Sequence, residues 1–232
     1  MSSLTRVPRA ARKPVDDRRA DFERRVLGAV EELLAHGTPY TEIAVQKIAA
    51  ASQVARSTFY RYFPDKSRLL IRMAELATAD LFEAAEQWWR TEHADQDGVV
   101  RAIAAMIAGF RQHRYLLLAL TELSAYDQDV GEYWRDRLAV FVDIVRLRLE
   151  ADRDRGRVDP GLDPAATAIV LTAMVERSVT VVFAVDSDSA EELDAEVADA
   201  ALATSLGRAI WLVVYGDAPA RDGGAKVSGK PE

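Results

Sequence analysis

The sequence predicts an all-α chain of about nine helices, and three observations carry that prediction. Apolar residues return at intervals of three and four almost from end to end. No stretch alternates apolar and polar residues with the period of two that a half-buried strand requires. The helical runs are separated by punctuation such as His36-Gly37, Pro64-Asp65 and Asp163-Pro164. With 49% hydrophobic residues in 232, the chain can bury a large core, which excludes disorder as its main state.

Composition narrows the chemistry. Cysteine is absent, so disulfides, thiolate zinc sites and thiol nucleophiles are excluded, and a reducing compartment, the cytoplasm, is expected. Arg6, Arg9, Arg12 and Lys13 are not followed by an apolar targeting segment. No apolar run is read as approaching the roughly 18 residues of a membrane span, so no membrane partner is expected. The net charge of −7 hides a division: residues 1–72 hold 14 Lys/Arg against 8 Asp/Glu, a net of +6, and residues 73–232 carry −13. A basic first third joined to an acidic remainder points to a polyanionic partner for the first part only.

Residues 1–15 are polar, contain Pro8 and Pro14, and show no hydrophobic period; a disordered basic arm is expected. Flexible arms of this kind can reach DNA phosphates or a minor groove. A helix is expected from Asp16 or Asp17, with Phe22, Val26, Ala29, Val30, Leu33 and Leu34 on its apolar side and Gly37 as C-cap. Thr38–Glu42 connects it to two short patterns, Val45–Ala51 and Ala55–Phe63, which are too short to stand alone in water. This is the layout of a helix-turn-helix, the second short helix being the reading helix.

On a helical wheel Phe59 and Phe63 share one face, while Ser57, Thr58 and Arg61 gather opposite them with Arg56 and Tyr60 alongside. A guanidinium, hydroxyls and a phenol are donors suited to base edges and phosphates, whereas an ordinary solvated face would carry Glu and Lys. Gln46 on the preceding helix joins this set. Pro64 ends the reading helix, Asp65 is the expected N-cap of the next, and Lys66 in its first turn is a candidate phosphate clamp.

Thr41–Leu70 thereby resembles the DNA-binding region of the tetracycline-repressor (TetR) family. The resemblance rests on Ile48-Ala49, Val54, Thr58-Phe59-Tyr60, Tyr62-Phe63, Pro64 and Lys66, over about 30 residues. It implies a helix-turn-helix DNA-binding domain over 16–65, a helical effector-binding and dimerisation domain over 66–216, and a disordered tail over 217–232. Three positions depart from the pattern, which places Ser or Thr caps at 44 and 55 and Gly at 53: here they are Ala44, Ala55 and Gln53. Each missing cap costs about 1 kcal/mol.

Beyond Leu70 the chain reads as helix at Lys66–Arg90, Val99–His113, Tyr115–Ser124, Glu132–Arg153 and Ala165–Val185. A last helix, opened by a capping box at Ser189–Glu192, runs to about Tyr215. The last two are apolar on more than one side, and small residues such as Ala166, Ala173, Ala198 and Ala201 suit packing between subunits. The family resemblance implies a homodimer through these two helices.

Nothing in the sequence supports catalysis. His36, His93 and His113 are scattered, no Glu-x-x-His pair exists, and nucleophile-elbow and nucleotide-cradle motifs are missing, so neither a metal nor a cofactor is expected. The 186–197 stretch lacks the Gly and Glu that a calcium loop needs at its sixth and twelfth positions. The family uses its second domain to bind small, often apolar effectors. Trp88, Met106, Phe110, Tyr115, Glu122, Trp134, Phe141, Met174 and Arg177 are the candidate lining here. The function implied is a ligand-responsive repressor bound to a palindromic double-stranded operator. The alternatives are an activator of the same family and a helical-bundle enzyme carrying a helix-turn-helix-like segment.

Overall fold

A computed structural model describes the backbone of residues 15–90, 95–185 and 192–216, and the side chains of 18–79, 95–184 and 195–216. The basic arm, the opening of the last helix and the C-terminal tail lie outside the described residues. The elements are α1 (Val15–Ala35), a single 3-10 turn (Tyr40–Glu42), α2 (Val45–Ala51), α3 (Arg56–Tyr62) and α4 (Lys66–Arg90). They continue as α5 (Gln96–Gln112), α6 (Arg114–Ser124), α7 (Gln128–Asp154), α8 (Pro164–Val185) and α9 (Glu192–Tyr215). Among the described residues there is no strand. The expected breaks hold, and the expected starts move outward by a turn or less where a cap lies further out. Asp95 accepts from the Gly98 amide at 2.5 Å and Asp127 from Val130 at 3.0 Å, so α5 and α7 begin before their apolar periods do.

The chain divides into two compact units, one of Met1–Ala77 with His113–Trp134, the other of Thr78–Gln112 with Arg135–Glu232. α4 runs through the division.

In unit 1, Phe22, Val26 and Val30 of α1 are buried, as are Ile48 of α2, Phe59 of α3 and Leu69, Leu70 and Met73 of α4. An ionic tie reinforces this core. Glu23, 4% exposed, accepts from Arg72 of α4 at 3.0 and 2.8 Å and from Arg19 at 3.0 Å. Burial pushes its carboxyl toward the neutral form, but the guanidinium hydrogen bonds outweigh that and hold its pKa below the usual value. A second tie joins Ser67 of α4 to Asp127, the cap of α7, at 2.5 Å.

The turn of the helix-turn-helix keeps its geometry without its glycine. Val54 N–H donates to Ala49 O at 2.9 Å and Gln53 N–H to Ala50 O at 3.1 Å, the paired bonds of a Schellman motif, and Gln53 takes the left-handed position with φ 56°. The departures at the helix starts are equally concrete: Ala44 and Ala55 sit in extended N-cap conformation with no side-chain hydrogen bond to offer.

In unit 2 the closest pairing is α5 against α9. A Cβ on Gly207 would stand 2.7 Å from Val100 Cγ2 and 2.8 Å from Val100 Cα, so the two backbones approach as only glycine permits. Toward the other end of this antiparallel pair, Arg111 grips Asp199 with two hydrogen bonds and lies 4.6 Å from the Phe183 ring of α8. The end of α9 is fastened to α7 at Asp152, which is fully buried. Tyr215 donates to it at 2.7 Å, and Arg148 and Arg157 donate at 2.9 Å each. Burial pushes the Asp152 carboxyl up, and these donors hold it below its ordinary value.

Pro164–Ala184 and Ala195–Tyr215 are, by length and composition, long and apolar enough to cross a membrane, which corrects the reading of the sequence. Scattered charges such as Glu176, Arg177 and Arg208 interrupt the apolar runs without lowering the average over 18 residues enough. Both helices keep apolar side chains outward: Ile169 and Val170 on α8 and Val197, Leu212 and Val213 on α9 are all more than half exposed.

Two outcomes follow for stability. Gly207→Ala loses about 1–3 kcal/mol to the overlap with the Val100 backbone, lowering the melting temperature by roughly 3–10 °C; a rise in differential scanning calorimetry would contradict the close approach. Gln53→Gly and Ala55→Ser each stabilise by about 0.5–1 kcal/mol and leave the recognised DNA unchanged; lowered melting temperatures would contradict the capping account.

Candidate DNA interface and internal cavity

The reading helix α3 is positioned by aromatic packing. Phe59 and Phe63 are buried with ring centroids 5.4 Å apart, and Phe22 of α1 lies 5.9 Å from Phe63 and 4.5 Å from Tyr62. With that side seated, Arg56, Ser57, Tyr60 and Arg61 are exposed and Thr58 is half-buried. The sequence-predicted reading residues therefore come together on one outward face.

The two guanidinium groups on that face are braced. Arg56 lies 5.5 Å over the Tyr60 ring and, with the Gln46 amide oriented so that both groups are satisfied, donates to the Gln46 oxygen at 3.3 Å. Gln46 on α2 thereby adjoins the Arg56 guanidinium. Arg61 lies 5.3 Å over the Tyr62 ring. Holding an arginine against an aromatic face lowers the entropy lost when its N–H edge meets a base or phosphate.

Lys66 serves the protein's own backbone first. Its ammonium donates to Tyr40 O at 2.5 Å and Thr41 O at 2.9 Å and sits 4.8 Å from the Tyr40 ring, while the Tyr40 hydroxyl returns a bond to Lys66 O at 2.7 Å. This reciprocal clasp fixes the loop before α2 to the start of α4. Burial lowers the lysine pKa and pushes that of Tyr40 up. Two of three ammonium protons are committed, leaving one for a phosphate. Sequence reasoning placed Lys66 at the interface but missed Tyr40, because a pairing across 26 residues leaves no periodic signal. As expected, Asp65 caps α4, accepting from Arg68 N–H at 2.7 Å.

Unit 2 contains a cavity of about 30 Å³. Val99, Ala102, Ile103 and Met106 of α5 form one wall and Phe141 and Val145 of α7 another. Leu171, Thr172 and Val175 of α8 with Ile210 of α9 close it. Of the sequence-predicted lining, Met106 and Phe141 are there. Phe110 and Met174 are half-buried and Arg177 is exposed, and none of the three lines the cavity. Tyr115, Glu122 and Trp134 belong to unit 1, and the Trp88 side chain lies outside the described residues. The sequence reading favoured aromatic and charged groups, whereas the wall is mostly aliphatic; Val99, Ile103 and Thr172 look like any core position in a periodic helix. Among the described residues no cluster of His, Asp and Glu could hold a metal ion.

Comparison with known proteins agrees with this arrangement. Residues 28–73 match the family described as "Bacterial regulatory proteins, tetR family", and residues 99–214 match "Transcriptional regulator EthR, C-terminal domain". The HTH-type transcriptional regulator EthR of Mycobacterium tuberculosis is 29% identical over 203 residues, covering 82% of this chain and 87% of that one. The HTH-type transcriptional repressor AcnR of Corynebacterium efficiens is 26% identical over 149 residues, covering 63% and 71%. Among solved structures, the transcriptional regulator FadR from Bacillus subtilis in complex with stearoyl-CoA superposes with a TM-score of 0.63 at 21% identity, covering 83% of this chain and 98% of that one. One family match covers residues 28–73 and the other, residues 99–214, covers half of the whole chain, so the chain belongs to the TetR family of bacterial transcriptional regulators.

Proposed function

We propose that this chain is a ligand-responsive repressor, acting in the cytoplasm, that binds a palindromic operator as a homodimer and is released by a small, partly apolar effector. The observation that carries the reading is the exposed, braced row Arg56, Ser57, Tyr60 and Arg61 on a helix whose opposite side is buried. Thr58 and Gln46 complete the base- and phosphate-facing set, and Lys66 offers its remaining proton to a phosphate. The structural neighbour FadR was solved with stearoyl-CoA, whose acyl chain is apolar, which supports an effector with an apolar part for a cavity of aliphatic walls.

The exposed apolar sides of α8 and α9 support the homodimer. Apolar surface spread along two long helices is what a subunit interface leaves uncovered in a single chain. A dimer must present its two reading helices about 34–36 Å apart, or at a multiple of that spacing, to enter successive major grooves on one side of the duplex. An effector that binds better to an arrangement with another spacing releases the DNA by population shift.

Selection of bound duplexes from a random pool tests this. The expected product is an inverted repeat with half-site centres separated by about 10 base pairs or a multiple. On that duplex, Arg61→Ala lowers affinity roughly 5- to 150-fold with the circular dichroism spectrum retained. An unrepeated site, or unchanged affinity in Arg61→Ala, would remove the dimeric reading mechanism.

A further inference from the structure

Tyr40, the first residue of the 3-10 turn before α2, is 1% exposed. A phenylalanine ring would fill that space as well, so the hydroxyl is what packing alone does not account for. It donates to Lys66 O, 26 residues further on, at 2.7 Å. That carbonyl lies in the first turn of α4, where it already serves as an acceptor for the helix's own amides. The helix is therefore satisfied without the tyrosine, and the consequence of the bond is one of position.

The other half of the clasp runs in the opposite direction. The 3-10 turn points two successive carbonyls, Tyr40 O and Thr41 O, at the Lys66 ammonium, at 2.5 and 2.9 Å, and the Tyr40 ring lies 4.8 Å from the same nitrogen. One residue thus meets Lys66 in three ways, through its hydroxyl, its carbonyl and its ring. Lysine is ordinarily a point charge on a flexible four-carbon stem with no fixed direction. An ammonium has three protons, and when two of them sit on the carbonyls of one turn, tetrahedral geometry fixes where the third points. The side chain then loses little freedom on meeting an anion, because it is already held.

We propose that Tyr40 is a positioning residue for DNA binding, one that aims the third proton of Lys66 at the phosphate backbone through the reciprocal clasp. Being buried, Tyr40 acts through Lys66 and not on the duplex. The assignment rests on reading Lys66 as a phosphate contact, and it names what gives that contact its direction. A phosphate carries no base identity, so Tyr40 sets affinity for every duplex alike and leaves the choice of sequence to the outward face of α3.

The test measures fluorescence anisotropy of the full chain on its selected operator and on a duplex of unrelated sequence, between about 50 and 200 mM salt. Tyr40→Phe keeps the ring and the carbonyl and removes only the hydroxyl bond, so it folds, with circular dichroism and the melting curve as controls. Lys66→Gln keeps an N–H donor for the carbonyls of the turn and removes the charge. Tyr40→Phe should weaken binding to both duplexes roughly 3- to 10-fold. Its slope of log affinity against log salt should fall in the same direction as that of Lys66→Gln, which loses about 0.9. Introduced into Lys66→Gln, Tyr40→Phe should cost less than about twofold, because the group it positions is gone.

An equal loss in both backgrounds would make Tyr40 a structural residue only and overturn the proposal. Unchanged affinity in Tyr40→Phe, or a loss confined to the operator, would overturn it as well. A slope lowered in Lys66→Gln but not in Tyr40→Phe keeps the phosphate contact and removes Tyr40 as its positioner. An unchanged slope in Lys66→Gln removes the contact itself, and the proposal with it. The slope of Tyr40→Phe against the unaltered protein needs the single variant alone, so it decides the matter even if the turn does not tolerate Lys66→Gln.

Discussion

The contact between Phe22 and the end of α3 seats the second short helix of unit 1. The reading helix has seven residues and no side-chain N-cap, well short of the length at which a helix holds itself in water. Its conformation is borrowed from α1, where Phe22 meets Phe63 and Tyr62, and from Phe59, which is fully buried. The Glu23–Arg72 tie sits beside Phe22 in the sequence and joins the same stretch of α1 to α4. One turn of α1 thus carries the aromatic contact to the end of α3 and the ionic tie to α4.

The reading face gains from being backed in this way. Arg56 and Arg61 lie against Tyr60 and Tyr62, and Gln46 links α2 to Arg56, so these side chains are held by neighbours within the chain. The Tyr40–Lys66 clasp adds a second brace at the α2 end of the motif. Unit 2 is organised by different means: a glycine that lets α5 and α9 meet backbone to backbone, a fully buried Asp152 that fastens the end of α9, and apolar sides of α8 and α9 left outward.

Much of this was legible in the sequence, and the boundary of legibility is physical. Helix order, the breaks at Gly37 and Pro64, the caps at Asp65 and Asp163, and the outward row on α3 are local or periodic, so composition and spacing reveal them. The missing glycine at Gln53 and missing caps at Ala44 and Ala55 were also visible, and the structure adds that the turn absorbs Gln53 in the left-handed region. What could not be read are pairings across distance: Tyr40 with Lys66, Glu23 with Arg72, Asp152 with Tyr215. The wall of the unit 2 cavity is equally hard to read from the sequence. Aromatic and charged residues attract attention, yet a binding space in a helical bundle can be walled by the same Val, Ile and Leu that fill its core, and only burial without a partner distinguishes Thr172.

The dependence of the reading helix on its aromatic seat is open to direct measurement by amide hydrogen exchange in Phe22→Ala. The account predicts that the amides of Phe59 and Phe63, which close the helical bonds of α3 onto Ala55 and Phe59, lose protection, while those of α5 and α9 keep theirs. Retained protection across α3 in that variant would contradict it, and would mean that the helix stands without α1.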